Sequence, residues 1–487
     1  MMSEKFRRQL RQETEKWWRE GLIDASLYQQ LSDRYQFSQI ETAARNRFVV
    51  ILLGLGGILL GLGMITFVAA NWQEWSRGFR VFLLLSLFVG VNAIGFYLWR
   101  RPVAKPGLQR LGHGLLLAGA LILGSNMALM SQMFHQTGEV YELYFCWGLG
   151  VAAMAYSLRL TSLGVLAWIL VFISYWGWFS NPFSPDRAWI SFLINHMALV
   201  ASLIFVPLAY WLRSRIIFGL AGIGFASFFV FGAFSLAIWH DHGLGGLGAI
   251  AFTLPPALLW AYDKDIWRFF RKSSRRDSAA KAAPTAVDPF QPIARSLAVW
   301  FFSIFFYIYS FHWLWRDVSV YSDGTIWLRE PWYYLDIGFF IILTGLGWLR
   351  LGSRLRHLSL FQEKSVNNGA IACFVIITAA LFCWGASLHN PSIIAPFLIN
   401  LMLFLLAIAL LRDGLALGAR PTFWGGMVLL VLGIVSRIFE YDTGLLLKSF
   451  VLVLCGIGVI AAGLWFERHL HPAASSSFKN LPQEKLS

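Results

Sequence analysis

The sequence predicts an all-α fold: a polytopic integral membrane protein of about 14 transmembrane helices with N and C termini both cytoplasmic. Three observations predict it. Of 487 residues, 57% are apolar and only 14% charged, and the mean hydropathy is +0.59, a balance unlike that of water-soluble folds. Apolar runs long enough to cross about 30 Å of hydrocarbon as helix recur from position 48 to position 466. Lysine and arginine are segregated between alternate connections, as orientation in a bilayer requires.

The chain opens with residues 1–47, a cytoplasmic amphipathic helical hairpin. Phe6, Leu10, Trp17 and Trp18 stand among charges as on one helix face. Gly21 offers a stop, and Asp24 an N-cap for a second helix carrying Leu27, Leu31 and Tyr35. Such a hairpin suits either a membrane-surface anchor or a module for self-association or a protein partner through residues 1–40. The first span, 48–71, contains no charge, and nine of the forty basic residues precede it. No apolar core precedes it either, so it reads as a retained span, not as part of a cleaved signal. The spans that follow are 79–99, 111–133, 140–158, 161–179, 189–212, 216–239 and 243–262, which complete a first transmembrane block over 48–262. Residues 263–292 form a basic linker rich in small residues, read as cytoplasmic and disordered. A second block over 293–466 holds 293–315, 333–350, 367–388, 392–411, 421–439 and 445–466, and residues 467–487 form a cytoplasmic tail. With this map, 33 of the 40 basic residues fall inside and seven outside. The net charge of +14 is therefore a topology signal that meets anionic lipid head groups, and no nucleic acid is expected.

Chemistry-bearing residues are few. Cys146, Cys373, Cys383 and Cys455 lie in apolar runs without metal or disulfide spacing. Asn92, Asn126, His196 and Asn400 fall deep in spans, where amides more often bond helix to helix than hold a substrate. Asn126 and His196 are the candidate intramembrane polar residues, although no acid partner for His196 and no central carboxylate is visible. At the outer face, Gln132, His135 and Glu139 follow the third span, with Glu142 close by. Arg437, Glu440, Asp442 and Lys448 follow the thirteenth. These groups read either as a salt-bridged plug joining two loops or as an outward-facing polar site. The histidines of the HDH run at 240–242 suggest a metal only weakly, since no second ligand pair stands at defined spacing. No metal or cofactor is expected. The many Trp, Tyr and Phe at span ends form an aromatic belt. Gly54, Gly57 and Gly61, and later Gly222 and Gly224, supply small faces for close helix contact.

The segments TEKWWREGLIDASLYQQLSDRY, FVAANWQEWSR, MALMSQMFHQTGEVYELYFCWGLGVAAMAYSLR and RIFEYDTGLLLKSFVLVLCGIGVIAAGLWFER together resemble the bacterial predicted membrane protein family known as domain of unknown function 2157. The resemblance covers about residues 10–170, with the last segment similar to the far end of longer members. It implies a bacterial inner-membrane location and supplies no activity. The positions carrying its polar character here are Asn71, Trp72, Gln132, His135, Arg437, Glu440 and Asp442.

Short outer loops, the longest spanning 316–332, leave little room for the large catalytic loops of polytopic transferases. The expected function is non-enzymatic: binding or moving a lipid-like or small polar envelope component, with membrane lipids as partners. One rival is an enzyme acting on an envelope lipid with His135, Glu139 or Glu440 as acid or base. Another is a scaffold that recruits partners through the hairpin.

Overall fold

A computed structural model describes residues 4–35, 55, 59, 66, 70, 72, 74–100, 106–136, 138–180, 188–239, 244–263, 289–315, 335–355, 363–387, 393–441 and 444–479. The chain divides into two compact units, Met1–Gly90 and Val91–Ser487. Every regular element among the described residues is helical, as a chain in hydrocarbon must be to satisfy its own backbone polar groups.

In the first unit, α1 (Glu4–Arg19) and α2 (Ala25–Tyr35) form the expected hairpin. Gly21 turns the chain with φ +74°, a conformation that costs a residue without Cβ nothing. Asp24 caps α2, accepting from the Leu27 backbone N–H at 3.0 Å and from the Ser26 hydroxyl at 2.7 Å. The Trp18 and Tyr28 rings stack at 5.3 Å between the two helices. The bonds from Ser26 and Leu27 hold the Asp24 carboxyl below its ordinary value. A carboxylate favoured in the folded state stabilises α2 above the unfolded pKa of about 4, and that contribution fades as pH falls through the lower folded value. A peptide of residues 1–40 is therefore expected to lose helical circular dichroism on acidification below pH 4, in excess of that lost by Asp24→Asn. Identical acid profiles for the two peptides would contradict this capping role. The predicted first span lies almost wholly outside the described residues.

The second unit is built from α3 (Arg77–Trp99), inside which the boundary falls, and α4 (Pro106–Met133), α5 (Val140–Leu158), α6 (Thr161–Phe179), α7 (Ala188–Asn195), α8 (Met197–Leu212), α9 (Arg215–Trp239), α10 (Leu244–Ala261), α11 (Gln291–Tyr309), α12 (Leu335–Leu355), α13 (Glu363–Ser387), α14 (Ile394–Ala416), α15 (Arg420–Glu440) and α16 (Leu445–Lys479). A 3-10 turn, His312–Trp315, follows α11. By length and composition, nine of the described helices suffice to cross a membrane, and three shorter apolar stretches accompany them at Met197–Leu212, Gly246–Ala261 and Asn367–Cys383. The predicted spans and the observed helices share their positions from α3 onward, with three differences, the first being that the span predicted at 293–315 is α-helical only to Tyr309 and closes in the 3-10 turn. The run at 189–212 is two helices, broken at His196. The last helix continues past position 466 to Lys479.

The core runs along α10, where residues 251–262 are all buried. Its neighbours are α9, α11, α12 and α13. Phe252 on α10 meets Phe305 at 4.6 Å, Tyr309 at 4.8 Å and Phe382 at 5.1 Å, an aromatic knot that ties α10, α11 and α13. Small residues set the other close approaches, as van der Waals packing within lipid demands. A Cβ on Gly222 would meet Leu297 at 2.6 Å, and one on Gly224 would meet the Trp168 indole nitrogen at 2.9 Å. The small-face reading of these two glycines is thus realised, whereas Gly54, Gly57 and Gly61 lie outside the described residues. One close contact between two backbones joins α14 and α15. A Cβ on Gly414 would strike the Phe423 nitrogen and Cα at 2.5 and 2.6 Å, and one on Gly426 would strike the Ala407 carbonyl oxygen at 2.9 Å. Backbone cannot yield as a side chain can, so Gly414→Ala should cost about 1–3 kcal/mol. Gly425→Ala, with open space at its Cβ, should be nearly silent when the two variants are compared by thermal melting of the detergent-solubilised protein.

Candidate functional site

The break between α7 and α8 positions the site. His196 has φ −98° and ψ 30°, outside helical geometry, yet its carbonyl already accepts from the Leu199 and Val200 N–H groups that start α8. Its imidazole turns inward, buried at 5% exposure, and Nδ1 lies 2.8 Å from Oδ1 of Asp336, itself 7% exposed. Asp336 sits in the first turn of α12, where a carboxylate is favoured by the helix dipole. Phe192 packs edge-on against the imidazole at 4.6 Å. Tyr175 of α6, 1% exposed, donates from its hydroxyl to the Phe228 carbonyl at 3.3 Å. With Asp336 ionised, Nδ1 carries the proton and donates to it; imidazolium would make the contact an ion pair.

The acid partner that is not visible in the sequence is thus Asp336, buried near the end of its helix rather than at its centre. The partner is 140 residues away and occupies the first turn of an apolar helix, where it reads as an interfacial acid. On the adjoining α6, the indole N–H groups of Trp168, Trp176 and Trp178 are buried without an acceptor among the described residues.

A second polar cluster surrounds the end of α11. Arg437 of α15 donates from Nη1 to the Ser310 carbonyl at 2.5 Å and from Nη2 to the Ser310 hydroxyl at 3.2 Å. Its guanidinium lies 4.4 Å from the Phe311 ring centroid and pairs with Glu440 one turn on. Glu440 Oε1 accepts the His312 backbone N–H at 2.6 Å. Asn400 of α14 adds a bond from Nδ2 to the same Ser310 carbonyl at 3.0 Å. Two helices, α14 and α15, thereby satisfy carbonyl and amide groups that the end of α11 leaves open. This is a structural clasp.

Among the described residues, no bond joins the two outer groups of the expected plug. Arg437 and Glu440 come together, but they grip Ser310 and His312. Gln132 and His135 are exposed at the end of α4, and Glu139, half-buried, precedes α5 without capping it through its side chain. Helices α4 and α5 pack chiefly with each other, α6 and α8, whereas α15 packs chiefly with α14, α11 and α16. Asp442, Asn71 and the histidines at 240 and 242 lie outside the described residues. Among the described residues no three of His, Cys, Asp and Glu cluster with metal-binding geometry. Asn126 is buried in α4 at 5% exposure.

Buried ionisable groups, apolar helices and helix-to-helix polar bonds together define a multi-helix membrane protein. Residues 15–164 match the model of a family described as Predicted membrane protein (DUF2157), so the resemblance read from the sequence holds over that stretch. The match runs from α1 into α6 and includes Asn126, Gln132, His135 and Glu139, but ends before His196, Asp336 and the clasp. Neither the curated proteins nor the solved structures contain a match to this chain.

Proposed function

We propose that the chain is a carrier in the bacterial inner membrane, with fourteen spans and cytoplasmic termini, that binds or moves a lipid-like or small polar envelope component. The carrying observation is the His196–Asp336 pair. Ionisable side chains within membrane segments are costly and tend to mark ligand or proton pathways, and a helix interrupted at such a residue is a recurring feature of transporters. The pair binds the α7–α8 break to α12, giving the bundle a link that a ligand competing for either partner would loosen. The unsatisfied indole donors along α6 favour a ligand bearing hydrogen-bond acceptors. In this reading the hairpin serves assembly or regulation, through self-association or a protein partner. Gln132, His135 and Glu139, exposed or half-exposed at one end of the bundle, would meet the ligand from the outer face.

The test is mass spectrometry of organic extracts from purified wild-type protein and from Asp336→Asn. Wild type should carry a component enriched over bulk membrane lipid, and Asp336→Asn should carry much less of it. An extract of wild type that merely reproduces the bulk lipid profile would refute the carrier reading.

A further inference from the structure

Two arginines hold a backbone conformation that side chains disfavour, and they hold it at one cleft. Arg159 joins α5 to α6 and Arg213 joins α8 to α9, each as the first residue of a two-residue connection. Their φ angles are +54° and +50°, the left-handed region in which glycine is the usual occupant of a helix C-terminus. The two connections converge because α5, α6, α8 and α9 pack together. Both arginines line a cleft of about 460 Å³ with Tyr210, Trp211 and Leu212.

The cleft is pre-set by bonds that do not use the arginines. The Trp211 indole N–H donates to the Tyr156 carbonyl at 3.2 Å, and the Tyr156 hydroxyl donates to the Ile204 carbonyl at 2.6 Å, locking α8 against α5. The Tyr210 and Tyr262 hydroxyls bond at 2.7 Å on the adjoining side. Arg159 lies over the exposed Trp211 ring, 4.4 Å from its centroid. That contact uses the face of the guanidinium and leaves its N–H edges open. Among the described residues neither arginine has a carboxylate partner. Two uncompensated guanidinium groups beside an exposed indole suit one chemistry: a phosphate oxyanion held by charge-assisted forks, with an apolar neighbour resting on the indole.

We infer that Arg159, Arg213 and Trp211 form a binding site for a phosphate group, carried by an anionic lipid or by a soluble phosphate ester. The inference depends on the membrane setting of the chain but not on the carrier reading, so either can fail alone. It also explains why arginine occupies two positions where glycine would strain less.

The test uses the full-length protein in detergent, probed separately with phosphatidylglycerol and with inorganic phosphate, by native mass spectrometry and by melting midpoint. Arg159→Gly/Arg213→Gly should bind the phospholipid about tenfold or more weakly, since it loses two charge-assisted contacts. Because glycine relaxes both connections, its ligand-free midpoint should equal or exceed that of wild type. Arg159→Gln/Arg213→Gln, which retains side-chain bulk, should show the same loss of binding. Stabilisation of wild type by inorganic phosphate alone, absent from the variants, would support the site and assign it to a soluble ester. Equal binding of both probes by wild type and variants would overturn it, as would failure of both probes to bind wild type.

Discussion

His196→Ala in purified, detergent-solubilised protein will lower the free energy of unfolding by about 3–5 kcal/mol, because it leaves the Asp336 carboxylate buried without a partner. Asp336→Ala should cost less, about 1–3 kcal/mol, since a neutral imidazole that loses its acceptor is a smaller burden than an isolated carboxylate. In the double variant neither group remains to be stranded. Its loss should fall short of the sum of the single losses by about 1–3 kcal/mol. Equilibrium unfolding in mixed micelles, followed by tryptophan fluorescence, supplies all three values. Strict additivity would show that the 2.8 Å contact contributes no coupling and would remove the basis for regarding it as a switch.

Arg437→Ala is expected to be similarly severe, at about 3–5 kcal/mol, because Glu440 is then left nearly enclosed without its cation. The same change strips two donors from Ser310 and the guanidinium from the Phe311 ring. Arg437→Lys preserves charge but has no planar fork, so it cannot reproduce both Ser310 bonds and should recover only part of the loss. Glu440→Gln should be milder still. Its amide oxygen can continue to accept from the His312 N–H, so only the ion pair weakens. The ranking Ala, then Lys, then Gln in decreasing damage is the measurable signature of a clasp. Were Glu440→Gln the most damaging of the three, its carboxylate would have a task other than holding the end of α11.

Helix positions were legible in the sequence because hydrocarbon imposes both length and composition. Arg77 and Trp99 bracket a run that is a helix over those residues, and Thr161 to Phe179 was readable to the residue. The hairpin was equally legible, since Gly21 and Asp24 act locally and their bonds reach only a few positions. Contacts across long separations were not. No glycine or proline marks a break at His196; only Asn195 and His196 themselves interrupt the apolar run from Phe192 to Val200. Nothing near Asp336 points back 140 residues. The Arg437 and Glu440 spacing does announce an intrahelical pair, but its target, Ser310, is an ordinary hydroxyl at the end of an aromatic run. The left-handed arginines were hidden for a related reason, since a basic residue beside a span already has a sufficient explanation in topology.

Pro255 and Pro256 both lie inside α10, the helix most enclosed by others. Neither can supply a backbone hydrogen, so the carbonyls four residues earlier, on Ala251 and Phe252, go without their helical donors. The helix that packs against α9, α11, α12 and α13 thus has two successive carbonyls without helical donors. A bend at that point would be felt by all four of these neighbours at once.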